Sequence, residues 1–390
     1  MKVLHLGNVP IPAGHPDRDR IKQHPGRWVL NHALAQKAAG LDVEIVSQAH
    51  KAARDFDCEI EGVTVHFLRT FHPYRHLSFY ALDSWRMSRF VRKLAPDIVH
   101  AHGTEAAYGH AAARSGLPFC ITAQGLFFQI IPTLGRRPNR DELFLRIGED
   151  FVLKRTKNVV AKSEYVKAAL HARYPHLALT LIPNTYEPGL DAPLAPRRGH
   201  AIAYVGTVNE RKAVHYLADA VKELAATVPD VELHICGNAP EGAGGSYENA
   251  CVSSLRATLG ERLHLHGNIP SGELFAVLDK CRALVAPSLE EMFGNQLIEA
   301  LMRGCHGIVA EGTALAENAR RFGNSTVVPQ RDASAIAAAL RRELAVPFDE
   351  ARAEKARAAV RAYMSPAAVA GKHIALYRRI LQETGAGRPA

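Results

Sequence analysis

Short apolar runs alternate with amphipathic stretches along most of this sequence, and that alternation restricts the chain to parallel βαβ architecture. "KVLHLGN" and "DVEIVSQ" read as buried strands, and "GRWVLNHALAQKAAG" between them has a 3.6-residue apolar period that stops at Gly40. "DIVHAHG" and "FCITAQG" are further runs closed by glycine, with "AAYGHAAARSG" as the helix between them; "VVAKS" and "LTLIPN" continue the series. A second series opens at "AIAYVGTVNERKAVHYLADAVKELAA" and runs through "VELHICGN", "LHLHGNIP", "ALVAPS" and "HGIVAEG". Such units place their functional loops at the carboxyl ends of the strands. Between the two series, "IPNTYEPGLDAPLAPRRGH" is rich in Pro and Gly and reads as a linker. The expected organisation is an α/β domain over 1–182, a linker over 183–200, a second α/β domain over 201–362, and a closing amphipathic helix with a frayed tail over 363–390.

A length of 390 residues suits two or three domains, and 47% hydrophobic with 22% charged residues is ordinary for a soluble globular protein. No stretch approaches the roughly 18 apolar residues of a membrane span. The apolar run in "MKVLHLGNVPIP" is too short for a signal peptide, so a cytoplasmic location is expected. Six dispersed cysteines with no CxxC pair read as reduced core thiols. Residues 1–182 hold 25 Lys+Arg against 16 Asp+Glu, whereas the remainder holds 23 of each. The excess positive charge therefore lies in the first half and favours anionic partners there.

Several chemistries lose their support. No GxGxxG follows the first strand and no Walker GxxxxGK[ST] occurs, which argues against dinucleotide and P-loop sites. The glycine cluster "GNAPEGAGGS" lacks either spacing and reads as a surface loop. His100 with His102, and His264 with His266, put two imidazoles on one strand face. Zinc wants a third ligand, none is apparent in the sequence, and metal-free chemistry is expected. The basic stretches carry no nucleic-acid module.

The informative segment is "PSLEEMFGNQLIEALMRG", residues 287–304, with seven residues between Glu291 and Glu299. "ALVAPSL" is a strand entering a loop, and "NQLIEALMRG" is a helix stopped at Gly304. Glu291 then lies in the loop, Gly294 or Asn295 at the helix start, and Glu299 in its first or second turn. Gly294 permits close backbone approach, and free N–H groups at the helix start suit phosphate oxygens. A carboxylate accepts two hydroxyl hydrogen bonds, which suits a diol. Alone, Glu299 is an acid near a helix start and Glu291 a solvated loop charge. Together, flanking a phosphate cradle, they suit a nucleotide sugar, one acid for the hexose and one for the ribose.

This segment resembles the E-x7-E signature of the retaining glycosyltransferases of family 4, and the resemblance extends over nearly the whole chain. It implies a GT-B fold: two doubly wound, Rossmann-like α/β domains facing across a cleft, with the C-terminal helix returning to the N-terminal domain. It also implies that Glu291 contacts the transferred hexose, that Glu299 holds the ribose, and that the backbone of Phe293, Gly294 and Asn295 touches sugar and diphosphate. "YVGTVNERKA" resembles the loop that places basic residues on the diphosphate, here Lys212 assisted by Arg211, with Thr207 where the family often has arginine. "LHGNIP" resembles the loop whose backbone reads the nucleobase, around Asn268 and Ile269. "ITAQG" resembles T-x-H-G, with Gln124 in place of histidine; glutamine hydrogen-bonds a sugar but carries no proton at neutral pH. "HPGRWVLNHA" matches the acceptor-side glycine loop through Gly26, with Arg27 beside it, and His102 in "HAHGTE" falls at a strand end on the acceptor side. "DFD" at 55–57 fits the metal-binding DxD of a different transferase fold, but "KAAR" precedes it instead of an apolar strand, so it reads as a loop charge.

The implied reaction is transfer of a hexose from a nucleoside-diphosphate sugar to a glycan or lipid-linked acceptor, with retention and without a metal or other cofactor. An epimerase of the same fold and a catalytically silent nucleotide-sugar-binding protein are the alternatives. "HLSFYALDSWRMSRFVRKL" and "GLFFQIIPTLGRRPNR" mix aromatic and apolar residues with arginines, which fits an interfacial surface on anionic lipid at the inner face of the membrane, as well as a core helix with solvated arginines.

Overall fold

The computed structural model describes every residue except 13, 17–25, 71–77, 79, 105–106, 196–198, 239–244 and 386–390. The cluster "GNAPEGAGGS" thus lies largely outside the described residues. The chain divides into two units, Met1–Thr185 with Met364–Ala390, and Tyr186–Tyr363.

The first unit contains strands β1 (Lys2–Leu6), β2 (Asp42–Ala49), β3 (Phe56–Ile60), β4 (Val63–Arg69), β5 (Ile98–His102), β6 (Phe119–Thr122), β7 (Asn158–Ala161) and β8 (Ala178–Leu181). Its helices are α1 (Trp28–Ala38), α2 (Ala81–Leu94), α3 (Ala107–Ser115), α4 (Phe127–Thr133), α5 (Arg140–Leu153) and α6 (Glu164–Arg173). The sheet order is β3-β4-β2-β1-β5-β6-β7-β8. Chain progression reverses between β1 and β5, which makes their carboxyl ends the switch point where doubly wound sheets place ligands. β3 alone is antiparallel, paired with β4 through the tight turn Glu61-Gly62, both at positive φ (51° and 80°). That hairpin corrects the reading of "DFD" as a loop: Asp57 stands in β3 and its Oδ1 meets His66 Nδ1 at 2.8 Å, while Asp55 pairs with Arg86.

β1 and β5 are buried on both faces, so they read as continuous apolar runs without strict alternation. One face packs Leu4, Val99 and Ala101 against Met87, Val91, Ala111 and Ala112 of α2 and α3. On the other lies α14 (Pro366–Glu383), a helix begun by Ser365, whose side chain accepts from Ala368 N, with Pro366 in the first turn. Its Val369, Leu376, Tyr377 and Ile380 cover Val3, Ile98, Cys120 and Val160. Each such side chain contributes about 1.5–3 kcal/mol by burial.

The second unit contains β9 (Ala201–Val205), β10 (Glu232–Cys236), β11 (Leu263–Gly267), β12 (Ala283–Ala286), β13 (His306–Ala310) and β14 (Ser325–Val328). Its helices are α7 (Val214–Ala225), α8 (Ser246–Leu259), α9 (Ser271–Lys280), α10 (Asn295–Met302), α11 (Ala314–Phe322) and α12 (Ala333–Leu344), and α13 (Glu350–Met364) leads into α14. All six strands are parallel in the order β11-β10-β9-β12-β13-β14, so the switch point lies between β9 and β12. Ile202, Leu233, Ile235, Val285 and Ile308 from the strands pack with Leu217, Val221 and Leu224 of α7 and Ile336 and Leu340 of α12. The Pro- and Gly-rich segment is pinned to this unit: Arg357 donates to the Ala192 carbonyl at 2.9 Å, and Asp191 pairs with Arg361 at 2.7 Å.

Candidate active site

In the second unit, the loops that leave β9 and β12 are tied together at the switch point. After β9, the Tyr204 hydroxyl donates to the Thr207 carbonyl at 2.8 Å, and the Asn209 side chain accepts from Lys212 N at 3.0 Å, capping a one-turn 3₁₀ segment, Glu210–Lys212. That turn brings Arg211 and Lys212 against the β12 loop. Arg211 donates to the Glu290 carbonyl at 2.7 Å, and the Arg211 carbonyl accepts from Leu289 N at 2.9 Å. Lys212 Nζ forms an ion pair with Glu291 Oε2, which also lies 3.7 Å from Arg211 Nη1 and 3.3 Å from Gln296 Nε2.

The pair is mostly shielded from water, the Lys212 and Glu291 side chains being 11% and 15% exposed. Burial works against ionisation of Glu291, but the charges of Lys212 and then Arg211 outweigh it and hold the carboxyl at about 2. Burial also lowers the Lys212 pKa, while Glu291 acts to raise it. Glu291 is therefore ionised at neutral pH, with the Lys212 Nζ against it. The two cations expected at a diphosphate are thus held in place by the first glutamate of the pair, a relationship without any local signal in the sequence.

Gly294 precedes α10 at φ +86°, and a Cβ there would stand 2.3 Å from Leu315 Cδ2 of α11. Glycine is required by both the backbone and the neighbour. Phe293 is buried and its carbonyl accepts from Asn318 Nδ2 at 2.6 Å, so this residue presents backbone more than side chain. No side chain caps α10, which begins at Asn295, unlike α5, α6, α11 and α12, capped by Asn139, Ser163, Thr313 and Asp332. Glu299 is half-buried in the second turn; desolvation first, and then Glu187, push its carboxyl up to about 7. Among the described residues no hydrogen bond or ion pair reaches that carboxyl. Glu187 was missed by sequence reasoning because it sits in the Pro- and Gly-rich segment. Thr207 is exposed. Asn268 is exposed and Ile269 half-buried after β11, the edge strand, two positions from β9 in the sheet.

In the first unit, the strand ends at the switch point carry a chain of side-chain hydrogen bonds. Lys162 Nζ donates to Gln124 Oε1 at 2.8 Å, and Gln124 Nε2 meets His102 Nδ1 at 3.3 Å. His102 Nε2 meets His5 Nδ1 at 2.9 Å, and His5 Nε2 meets Gln36 Oε1 at 3.0 Å. Gln36 Nε2 donates to the Tyr377 hydroxyl at 3.1 Å, which meets His100 Nδ1 at 2.6 Å, and His100 Nε2 meets Thr122 Oγ1 at 2.6 Å. Donor bookkeeping fixes the direction of the chain from Lys162 as far as the Tyr377 hydroxyl. An ammonium only donates, so Gln124 turns its oxygen to Lys162 and its NH₂ to His102. His102 then carries its proton on Nε2, as does His5 in turn, while the Tyr377 and Thr122 hydroxyls, which both donate and accept, accommodate either form of His100. Burial, foremost, lowers the pKa of all three imidazoles, His5 to about 4, so they stay neutral.

This accounts for both nitrogens of His102, which is 5% exposed, within the protein. Gln124, half-buried, keeps one N–H and one lone pair beyond the chain. His5 also supplies the third imidazole that the sequence did not reveal: its ligand atom and those of His100 and His102 lie within 4.8 Å of one another. At α1, Gly26 underlies the Trp28 ring, where a Cβ would fall 1.6 Å from Cζ3, and Arg27 pairs with Glu61.

Residues 199–345 match the family model described as "Glycosyl transferases group 1", and residues 25–189 the one described as "Glycosyltransferase Family 4". The chain is 24% identical over 212 residues to the 2-deoxystreptamine glucosyltransferase of Streptomyces kanamyceticus, covering 50% of this chain and 54% of that protein. It is 32% identical over 199 residues to the glycogen synthase of Mycobacterium tuberculosis, covering 47% of this chain and 44% of that protein. The chain spans about half the length of the curated relatives it matches. Among solved structures, the sucrose-phosphate synthase of Thermosynechococcus elongatus aligns over 98% of this chain and 99% of its own, with a TM-score of 0.78 at 20% identity. Together with the two doubly wound sheets, this likeness establishes the GT-B fold.

Proposed function

Because the chain belongs to the family 4 glycosyltransferases, we propose that it transfers a hexose from a nucleoside-diphosphate sugar to a carbohydrate or lipid-linked acceptor, in cell-surface polysaccharide or glycolipid synthesis. The observation that carries this reading is the Lys212–Glu291 pair at the switch point, beside a helix start without a side-chain cap and the carboxyl of Glu299, which no hydrogen bond or ion pair among the described residues reaches. Lys212, Arg211 and the first N–H groups of α10 meet the diphosphate, supported at the β9 loop by Thr207. Glu299 accepts the ribose hydroxyls, the turn at Asn268 and Ile269 reads the base, and Glu291 with the Phe293–Asn295 backbone meets the hexose.

As the bond from the anomeric carbon to the phosphate oxygen breaks, charge grows on the leaving diphosphate. Fixed cations that need no reorganisation stabilise it, each worth about 2–4 kcal/mol of barrier. The acceptor oxygen attacks on the same face, its proton passes to the departing phosphate oxygen, and configuration is retained with no metal required. In the first unit the N–H that Gln124 keeps beyond the chain suits a sugar hydroxyl, His102 acts through Gln124, and the Gly26–Arg27 segment is the acceptor-side loop. A lipid-linked acceptor fits two exposed stripes of that unit. Leu143, Ile147 and Phe151 line α5 at 46%, 51% and 40% exposure, followed by Lys154 and Arg155; Leu82 and Trp85 precede Arg89, Arg92 and Lys93 on α2. No helix among the described residues is long and apolar enough to cross a membrane, so these stripes would rest on anionic lipid at its cytoplasmic face.

The test is nucleoside-diphosphate release from a donor panel with and without acceptors. Acceptor-dependent release is expected. Sugar interconversion without release would instead mark an epimerase, and inactivity with every donor would mark a silent binding protein.

A further inference from the structure

A second cluster of potential metal ligands lies in the second unit, and its chemistry differs from that of the His5, His100 and His102 trio. β10 and β11 run parallel with His234 opposite His264. Leu233, Ile235 and Leu263 turn into the core, which leaves Glu232, His234, His264 and His266 on the other face by the period of two. Glu232 Oε2 lies 3.7 Å from His234 Nε2 and 3.5 Å from His264 Nε2, and all three ligand atoms fall within 4.8 Å of one another. Ligands about 2.0–2.1 Å from a tetrahedral zinc ion stand roughly 3.3 Å apart, so small side-chain rotations close this set.

The histidine trio of the first unit cannot do the same without loss. Each of its nitrogens is spent on Gln36, Tyr377, Thr122, Gln124 or a neighbouring imidazole, in a site closed to solvent. In the second cluster, His234 Nδ1 meets His266 Nε2 at 3.0 Å. With the proton on Nδ1, that bond orients the ring and leaves Nε2 as a lone pair facing Glu232, the arrangement in which an outer partner sets a ligating histidine. The site is also reachable, the Glu232 and His264 side chains being 47% and 39% exposed.

We propose that Glu232, His234 and His264 form a binding site for a divalent transition-metal ion of the zinc class, clipping edge strand β11 to β10 and leaving a fourth position to water. The site is separate from the proposed transfer site and independent of it. Lys280, at the end of α9, is the charge that opposes the ion.

The experiment titrates Zn²⁺, with Mg²⁺ as the hard-cation control, into the full chain without an affinity tag after chelator treatment, following heat and thermal unfolding. His264→Ala and Glu232→Gln, at partly exposed positions, are titrated in parallel, and His100→Ala serves as the variant of the other trio. Expected are one saturable Zn²⁺ equivalent that raises Tm, no Mg²⁺ response, at least tenfold weaker Zn²⁺ binding in both edge variants, and binding retained in His100→Ala. Absent saturation, or edge variants that bind as the parent does, overturns the proposal.

Discussion

Lys212 and Glu291, 79 positions apart in sequence, form a buried ion pair that Arg211 and Gln296 complete around the same carboxylate oxygen. Breaking one side of such a pair leaves an uncompensated buried charge. Lys212→Met should lower transfer by about 10²–10³-fold, as loss of one fixed donor does. Its stability signature has a definite sign. The Glu291 carboxyl falls from 4.5 to about 2 on folding, so its contribution is present above pH 4.5 and disappears as pH drops through about 2. Urea unfolding of the parent and Glu291→Gln at pH 7 and pH 3 should show a larger gap at pH 7. An equal gap at both would mean the pair is not ionised as described.

Glu299 works in the opposite sense. Its carboxyl rises from 4.5 to about 7, so folding favours the protonated form, and this contribution is full below pH 4.5 and lost as pH climbs through about 7. Glu299→Gln should therefore lose less stability than the parent between pH 5 and pH 8. If the ionised carboxylate binds the ribose, nucleoside-diphosphate affinity should rise about tenfold per pH unit up to that pKa. Calorimetric titration from pH 5.5 to 8.5 reads this directly, and a flat profile removes Glu299 from the ribose.

Gly294→Ala meets two obstacles, the positive φ and Leu315 Cδ2 at 2.3 Å. Together they should cost about 2–4 kcal/mol. Leu315→Ala removes the second obstacle, so the double variant should be less destabilised than the sum of the single ones. Strict additivity in a thermal-unfolding cycle would contradict the close approach of α11 to this turn.

Lys162 sets the direction of the hydrogen-bond chain through Gln124. Lys162→Met frees the amide to reverse, which should turn His102 and His5 toward a mixture of Nδ1–H and Nε2–H forms. Imidazole ¹⁵N shifts report this change, which a merely packing role would leave untouched. Parent-like shifts in the variant would show that the chain is directed elsewhere.

Much of the fold was legible because the βαβ alternation is written in apolar runs ending at glycines; β1, β5, β9 and β12 all appear where those runs stand. The β3–β4 hairpin was not, because its edge strand alternates exposed acids with half-buried residues and its turn residue Glu61 adopts a left-handed conformation without being glycine. Glu291 and Glu299 stood out from spacing within one strand–loop–helix unit. Their partners did not: Lys212 reaches Glu291 only because β9 and β12 are neighbours, and Glu187 reaches Glu299 from a segment that reads as a linker. The histidine chain was half visible, since His100 and His102 share a strand, while His5, Gln36 and Tyr377 arrive from three other elements.

The central claim is that the β9 and β12 loops of the second unit grip a nucleoside-diphosphate sugar. Its most direct test is a calorimetric titration of a nucleoside-diphosphate-sugar panel into the parent, Lys212→Met and Glu299→Gln at pH 8. The account predicts saturable one-to-one binding of at least one donor, weakened tenfold or more in each variant. Binding of none, or equal binding by all three proteins, would contradict it.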